Sequence, residues 1–205
     1  MRTRTSDRQQ KYVEAARQLF FKHGYARVSM NLVATTVGGS KTTLYSYFHS
    51  KEALFRAFVL ETGKEKFSRL ANTTVDTDDI GKTLSDMAGA YLALACDPDV
   101  QRLDQLVHAE SPRQPTLSRM YRNLTHTRTI STMAWTFEGL VFHRRIRNTS
   151  PQVLAMHFKA LLDCIAVELQ HTTGGPAPDG LMQTAIHQPV EAFLYGYQPP
   201  GAQAA

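Results

Sequence analysis

The sequence predicts an all-α protein, and three observations support this fold class. Side chains that can cap a helix N-terminus recur along the 205 residues, each just before a stretch whose apolar residues return every three or four positions. Strand signals are nearly absent, since no long β-branched alternation occurs and no Asn-Gly or Asp-Gly turn separates two such stretches. The hydrophobic share of 42% is sufficient for a buried core.

The first helix is expected to begin at Ser6 and to end at Gly24. Ser6 and Gln9 form a capping-box pattern, in which the hydroxyl reaches the N3 amide and the Gln side chain returns to the cap. Gly24 is a typical C-terminal stop. The residues predicted to lie on its inward face are Val13, Ala16, Leu19, Phe20 and His23.

Three shorter helices follow, with Ser29, Ser40 and Ser50 as their N-caps. Gly38 and Gly39 permit the positive φ of a tight turn between the second and third helices, which predicts a helix-turn-helix unit. The inward residues are Met30, Val33, Ala34 and Val37 in the second helix, Leu44 and Phe48 in the third, and Ala53, Leu54, Ala57 and Phe58 in the fourth.

Charge is distributed unevenly along the chain. Residues 1–51 carry nine Lys or Arg against Asp7 and Glu14, a net charge of +7, whereas the remaining 154 residues carry 14 basic and 16 acidic groups, a net charge of −2. Such asymmetry is typical of a module that binds a polyanion joined to a body with another task. A basic surface that only increases solubility is the alternative.

The third helix combines a short apolar side with a polar side suited to DNA. Lys41 and Thr42 stand at its N-terminal end, where such helices meet base edges in the major groove, and the Thr43 methyl can contact a thymine. Tyrosine hydroxyls, Lys51 and the backbone amides near Ser29 suit phosphate oxygens. The predicted DNA-binding residues are Arg27, Ser29, Met30, Ser40, Lys41, Thr42, Thr43, Tyr45, Ser46, Tyr47 and Lys51. A solvated polar face is the alternative for any one of them.

The stretch "VEAARQLFFKHGYARVSMNLVATTVGGSKTTLYSYFHSKEALFRAFV" resembles the DNA-binding domain of TetR-family transcriptional regulators over about 45 residues. The matching positions are Phe20, Gly24, Tyr25, Ser29, Ala34, Gly38, Ser40, Lys41, Leu44, Tyr45, Phe48, Lys51, Glu52 and Leu54. Two positions depart from the family pattern. Gly39 replaces a small hydrophobic residue, which is expected to loosen packing between the second and third helices. Thr42 stands where Gly is frequent and adds a side chain that can reach a base.

The resemblance implies an N-terminal three-helix helix-turn-helix DNA-binding domain over residues 1–52, and a larger C-terminal helical domain over 53–200 for ligand binding and dimerisation. The segment "LVHAESPRQPTLSRMYRN" is similar to one branch of these regulators. Apolar stripes predict helices over the larger part independently: Leu84 to Ala95, Val100 to Val107, and a long helix carrying Leu124 to Val141.

The helix after Ser150 and Pro151 is apolar on two sides, which indicates burial on two sides and hence a partner chain. One face holds Leu154, Phe158, Leu161, Leu162, Ile165 and Leu169, the other Val153, Met156, Ala160, Cys164 and Val167, and which of them is core stays open. A last helix near 179–195 should be kinked or shortened by Pro189. By resemblance these two helices form the dimer interface, with candidates Leu154, Leu161, Ile165, Met182, Ile186 and Phe193.

A ligand cavity would be lined by inward residues of the central helices. The candidates are Met87, Tyr91, His108, Met120, Trp135, Phe142 and Phe158, and ordinary core packing is the alternative for each. Cys96 and Cys164 lie far apart in apolar helical contexts and are predicted to be buried thiols. No metal motif, cofactor motif or nucleophile–base pair is evident, so neither a metal, a cofactor nor an enzymatic activity is expected.

Together these features predict a dimeric, ligand-responsive DNA-binding regulator, by resemblance most often a repressor, released from DNA by a small, largely apolar effector. Its partners would be double-stranded DNA with a near-palindromic operator, a second copy of itself and an effector whose identity the sequence does not contain. A regulator controlled by a protein partner without a small ligand is the alternative. The absence of a signal peptide or long apolar run predicts a cytoplasmic protein without a membrane contact.

Overall fold

The computed structural model of the protein describes residues 2–173 and 179–199, and within these ranges it contains helices and no strand. The predicted all-α class is therefore confirmed. The helices are α1 (Arg2–His23), α2 (Met30–Thr36), α3 (Lys41–Tyr47), α4 (Lys51–Glu61), α5 (Lys64–Ala71), α6 (Ile80–Ala95), α7 (Pro98–Glu110), α8 (Pro115–Arg122), α9 (Arg128–Phe142), α10 (Pro151–Thr173) and α11 (Asp179–Tyr197), with a π-helical turn (Asn123–Thr127) before α9. Among the described helices, none combines the length and apolar character that a membrane span requires.

The chain forms two compact units. The first unit runs to Thr62 and takes in Gln101–Thr125, whereas the second comprises Gly63–Val100 and resumes at His126. The first unit thus adds α4 and most of α7 and α8 to the expected DNA-binding domain, because the apolar residues of those helices complete its core.

Aromatic rings dominate the core of the first unit. Phe20, Phe55 and Phe58 have no exposed surface, and the Phe20 and Phe55 rings meet edge to face with centroids 5.2 Å apart. Tyr25 packs edge-on against Phe55 at 5.0 Å, which ties the turn after α1 to α4. Edge-to-face pairs add to the free energy gained by burying the rings. These contacts fix α1 and the turn before α2 against α4.

Two expectations for the first helix are wrong. The helix begins at Arg2 rather than at Ser6, because the residues before Ser6 include no Gly or Pro that would break it. His23 is exposed rather than inward, in the last turn of α1, where a basic side chain lies near the negative end of the helix dipole. The stop at Gly24 is confirmed, since Gly24 has φ 79° and donates its N–H to the Phe20 carbonyl at 2.9 Å.

The second unit packs α6, α9, α10 and α11 around a separate core. Phe158 and Phe193 are almost fully buried and meet edge to face, with centroids 4.9 Å apart. α11 continues through Pro189 to Tyr197, so the proline does not shorten it as expected. Burial of the adjacent Val190 and of Phe193 offsets the lost backbone hydrogen bond.

The two apolar faces of α10 have different environments. Leu154, Phe158 and Leu162 are fully buried in the core of the second unit. The exposed face, which we call the α10 outer face, consists of Val153, Met156, Ala160, Leu161, Cys164 and Val167. Cys164 is therefore exposed in the single chain, so the prediction that it is buried is wrong there. Cys96 is buried as expected.

Candidate nucleic-acid interface

The helix-turn-helix unit is fixed at its helix starts by serine caps. Ser29 Oγ accepts from the Leu32 amide at 3.1 Å, and Ser40 Oγ accepts from the Thr43 amide at 3.1 Å. Ser50 caps α4 in the same way, at 3.1 Å from the Ala53 amide. Each cap satisfies one of the free amides at a helix N-terminus and leaves others free to face an anion.

The turn between α2 and α3 uses its two glycines for different reasons. Gly38 has φ 70°, a conformation that side chains disfavour, and Gly39 donates its N–H to the Ala34 carbonyl at 2.9 Å. Gly39 does not have the expected positive φ. It is required because a Cβ there would lie 2.3 Å from the Tyr12 hydroxyl oxygen.

Tyr12 of α1 is a part of this unit that the sequence patterns did not indicate. It is fully buried, and its ring lies 5.9 Å from that of Tyr47 on α3. Its hydroxyl has no hydrogen-bond partner among the described residues. Tyr12 fills the space that Gly39 leaves, so the expected loosening between α2 and α3 is not observed.

α3 presents a short polar face above two buried anchors. Leu44 and Phe48 are buried in the first unit's core, as predicted. The side chains of Lys41, Thr42, Tyr45 and Ser46 are exposed, and those of Thr43 and Tyr47 are half-buried. A helix held from below with small donors on its outer side meets the requirement for entering a major groove.

The hydroxyl groups on α3 differ in whether they are already hydrogen-bonded within the protein. Ser46 Oγ donates to the Thr43 carbonyl at 2.7 Å, and Ser40 and Thr43 share a hydrogen bond of 2.8 Å between their hydroxyls. The Lys41 ammonium lies 5.7 Å from the Tyr45 ring centroid. Thr42 is exposed, and among the described residues its γ-hydroxyl has no hydrogen-bond partner. Lys41, Thr42 and Tyr45 are therefore the side chains most available to bases.

Two predicted DNA-binding residues near the turn before α2, Lys51 and Met30, have side chains that are less accessible than expected. Lys51 Nζ donates to the Ala26 carbonyl at 3.3 Å and lies 4.2 Å from the Tyr25 ring centroid. Burial lowers the pKa of Lys51 below its ordinary value, although the carboxylates of Glu110 and Glu52 act in the opposite direction. Met30 is buried and can offer its backbone amide rather than its side chain, whereas Arg27 is exposed.

This geometry agrees with comparisons to known proteins. Residues 13–58 match the family model described as bacterial regulatory proteins, tetR family, and residues 82–199 match the AefR-like transcriptional repressor, C-terminal domain. The chain belongs to the TetR family. The members of this family are transcriptional regulators and not enzymes, which confirms two expectations from the sequence.

Curated relatives of this TetR-family protein align mainly over the DNA-binding region. The transcriptional regulator UidR of Escherichia coli K12 is 32% identical over 69 residues, which is 34% of this chain and 35% of UidR. The transcriptional repressor AcnR of Corynebacterium diphtheriae is 37% identical over 59 residues, which is 29% of this chain and 31% of AcnR. The chain thus spans about a third of the length of these relatives.

Solved structures are similar over nearly the whole chain. The flavonoid-responsive regulator FrrA superposes with a TM-score of 0.82 at 26% identity, covering 96% of this chain and all of FrrA. A Mesorhizobium loti MAFF303099 protein assigned to the TetR family superposes with a TM-score of 0.78 at 27% identity, covering 95% and 98% of the two chains.

The residues expected to line a ligand cavity are divided between the two units. Met87, Tyr91 and Phe158 are buried in the second unit's core, where the Tyr91 hydroxyl donates to Asp163. His108 and Met120 belong to the first unit, with His108 exposed and Met120 half-buried. Trp135 and Phe142 are 65% and 80% exposed on α9. Two grooves of the second unit, of about 410 and 510 Å³, contain none of the seven residues.

Burial corrects two of the six expected dimer residues. Leu154 and Phe193 are buried within their own unit and are unavailable to a partner. Ile165, Met182 and Ile186 are half-buried against the same core, and Leu161 is exposed. On α10 and α11, the large apolar residues that remain accessible are those of the α10 outer face, together with Leu181 and Tyr195.

Proposed function

We propose that this TetR-family protein is a homodimeric repressor that holds a near-palindromic DNA operator with α3 in the major groove. The exposed Lys41, Thr42 and Tyr45 above the buried anchors of α3 are the observation that carries this proposal. Lys41 and Thr42 read base edges, since they stand at the end of the helix that enters such grooves first.

The remaining contacts position the protein on the phosphate backbone. Arg27 and the free amides at the starts of α2 and α3 face phosphate oxygens, and the hydroxyl of Tyr47 donates to another. Ser29 and Ser40 contribute through their caps, which keep those amides aligned. The net charge of +7 over residues 1–51 supports the attraction. Lys51 acts mainly as an internal support, because its ammonium donates to the Ala26 carbonyl, and contacts a phosphate as its second role.

A second copy covers the α10 outer face and the adjacent exposed side of α11. Met156 and Val167 are 53% and 50% exposed, although both are apolar and stand at helical spacing along α10. The two α3 helices of such a dimer would have to reach half-sites about 34–36 Å apart, one turn of DNA. The operator would then repeat its half-site with inverted orientation.

A small, largely apolar effector binds the second unit and releases the operator. The likeness to FrrA, whose name describes a flavonoid-responsive regulator, supports an effector of this kind. The effector can weaken DNA binding only by the difference in its affinity for the DNA-bound and free conformations. The protein acts on DNA in the cytoplasm.

One observation favours control by a protein partner instead. Trp135 and Phe142 form an exposed stripe on α9 with Arg128, Ser131 and Glu138, since these residues are spaced by three or four positions. Large exposed aromatic residues are typical of protein interfaces. A protein docking on this stripe would regulate DNA binding without an apolar effector.

Selection from a random duplex library with the purified protein tests the proposal. We expect enrichment of an inverted repeat with half-sites one helical turn apart, and a fluorescence anisotropy affinity that falls with salt as phosphate contacts release counterions. A scrambled duplex of equal length is the control. Enrichment of no motif, with equal affinity for the scrambled duplex, would contradict a sequence-reading α3.

A further inference from the structure

The last residue of α7 contacts the turn that leads into α2. Glu110 Oε1 accepts from the Ala26 amide at 3.0 Å, joining residues 84 positions apart in the first unit. The Ala26 carbonyl accepts from Lys51 Nζ at 3.3 Å. Both backbone polar groups of Ala26 are thus held by side chains from two other helices, α7 and α4.

The other supports of this turn are mainly buried side chains, since Tyr25 and Val28 are each 2% exposed and the Phe20 ring stacks on that of Tyr25. Its internal backbone bond joins the Val28 amide to the Tyr25 carbonyl at 3.3 Å, a long distance for such a bond. Tyr25 is held from the α4 side, by the Phe55 ring and by the Lys51 ammonium. Glu110 is therefore the support that reaches the turn from α7, and its bond is charge-assisted.

The position of Ala26 affects the groups proposed to grip phosphate. Arg27 follows it directly, and Ser29 and Met30 begin α2 three and four residues later. A shift of the Ala26 peptide would move Arg27 and change the direction of the free amides of α2. We propose that Glu110 is a positioning residue for DNA binding, acting by holding the Ala26 amide. This inference rests on the proposed function.

Charge makes the role of Glu110 distinctive. A carboxylate in a unit that binds a polyanion opposes binding, so loss of the Glu110 charge alone would tighten DNA binding. Glu110 Oε2 is buried and has no hydrogen-bond partner among the described residues, which adds a desolvation cost. Gly24 leaves room for the other oxygen, since a Cβ there would lie 3.1 Å from Oε1.

Operator affinity of Glu110→Ala and Glu110→Gln tests the proposal by anisotropy across a salt series. We expect Glu110→Ala to raise Kd about 10-fold and to reduce the salt slope by about one phosphate contact, because Arg27 would no longer be aligned with its phosphate. Glu110→Gln keeps an acceptor oxygen and should stay within about 3-fold of the wild type. Glu65→Ala, which removes an exposed carboxylate from α5, is the matched control.

Two results with the Glu110 variants would overturn the proposal. Unchanged or tighter binding by Glu110→Ala would overturn the proposal, because it is the result that charge removal alone produces. Equal losses in the Ala and Gln variants would overturn the acceptor role. Thermal melts set the temperature at which all variants are folded, so reduced stability cannot imitate the change in salt slope. If the wild type itself fails to select an operator, the proposed function fails rather than this inference.

Discussion

Met156→Asp combined with Val167→Asp is expected to convert the protein to monomers and to lower operator affinity about 100-fold or more, because a dimer gains from linking two binding events. Both side chains are at least half exposed in one chain, so the substitutions leave the core of the second unit intact. In the proposed dimer the same carboxylates would be buried without partners, which is strongly unfavourable.

Sedimentation velocity and operator anisotropy at equal protein concentration measure this prediction. Asn72→Asp with Thr74→Asp adds the same charge at two exposed positions outside α10 and is the matched control. A double variant that still sediments as a dimer would contradict the proposed interface. Unfolding of the variant would show in its melting curve and would remove it from the comparison, leaving the less severe Met156→Ser with Val167→Ser in its place.

The single tryptophan separates the two candidate modes of control in the same experiment. Trp135 is 65% exposed in one chain. Because it is the single tryptophan, acrylamide quenching of the fluorescence measures only how accessible the α9 stripe is to solvent. Quenching that falls as the dimer forms indicates that the second copy covers α9. Quenching that stays high in the dimer leaves the stripe free, which supports a protein partner.

Gly39→Ala is expected to destabilise the first unit by about 1–3 kcal/mol, the usual cost of adding a methyl group to a filled site. The new Cβ would lie 2.3 Å from the hydroxyl oxygen of Tyr12, which has no exposed surface, so the Tyr12 ring must shift within the core. Operator affinity should fall with it, since the displaced Tyr12 ring contacts Tyr47 of α3.

Tyr12→Phe is expected to rescue Gly39→Ala in part. It removes the clashing oxygen, and because that hydroxyl has no partner among the described residues, Tyr12→Phe alone should leave stability unchanged or higher. Denaturant unfolding of the two single variants and the double variant gives a coupling free energy, expected at about 0.5–3 kcal/mol.

Gly38→Ala provides the matched control for this cycle. A Cβ at Gly38 meets no atom within 4 Å, so its cost comes from the φ of 70° and not from a contact. We expect it to lose about 1–2 kcal/mol and to show no coupling with Tyr12→Phe. Equal coupling for both glycines, or none for Gly39, would contradict the role assigned to Tyr12.

Local signals in the sequence were sufficient for the helix-turn-helix unit. Ser29, Ser40 and Ser50 all cap helices, and Leu44 and Phe48 anchor α3, because capping and helical periodicity depend on neighbouring residues. The start of α1 was missed because Ser6 competes with a run of residues that continues a helix equally well.

Contacts between distant residues could not be predicted in this way. Periodicity identified two apolar faces on α10 but not which one is core, since both have the same spacing. Tyr12 and Glu110 act through partners 27 and 84 positions away, Gly39 and Ala26. Trp135 and Phe142 did carry a signal, because Arg128, Ser131 and Glu138 share their stripe and indicate an exposed face.

The central claim is that α3 reads bases while neighbouring groups hold phosphates, and one measurement tests it most directly. Thr42→Ala and Tyr47→Phe are compared by anisotropy on the selected operator and on duplexes that each change one base pair. We expect Thr42→Ala to change the preference at one or two positions by about 1–3 kcal/mol. Tyr47→Phe should weaken binding to every duplex alike and flatten the salt slope. Uniform losses for both variants, with base preferences unchanged, would contradict base reading by α3.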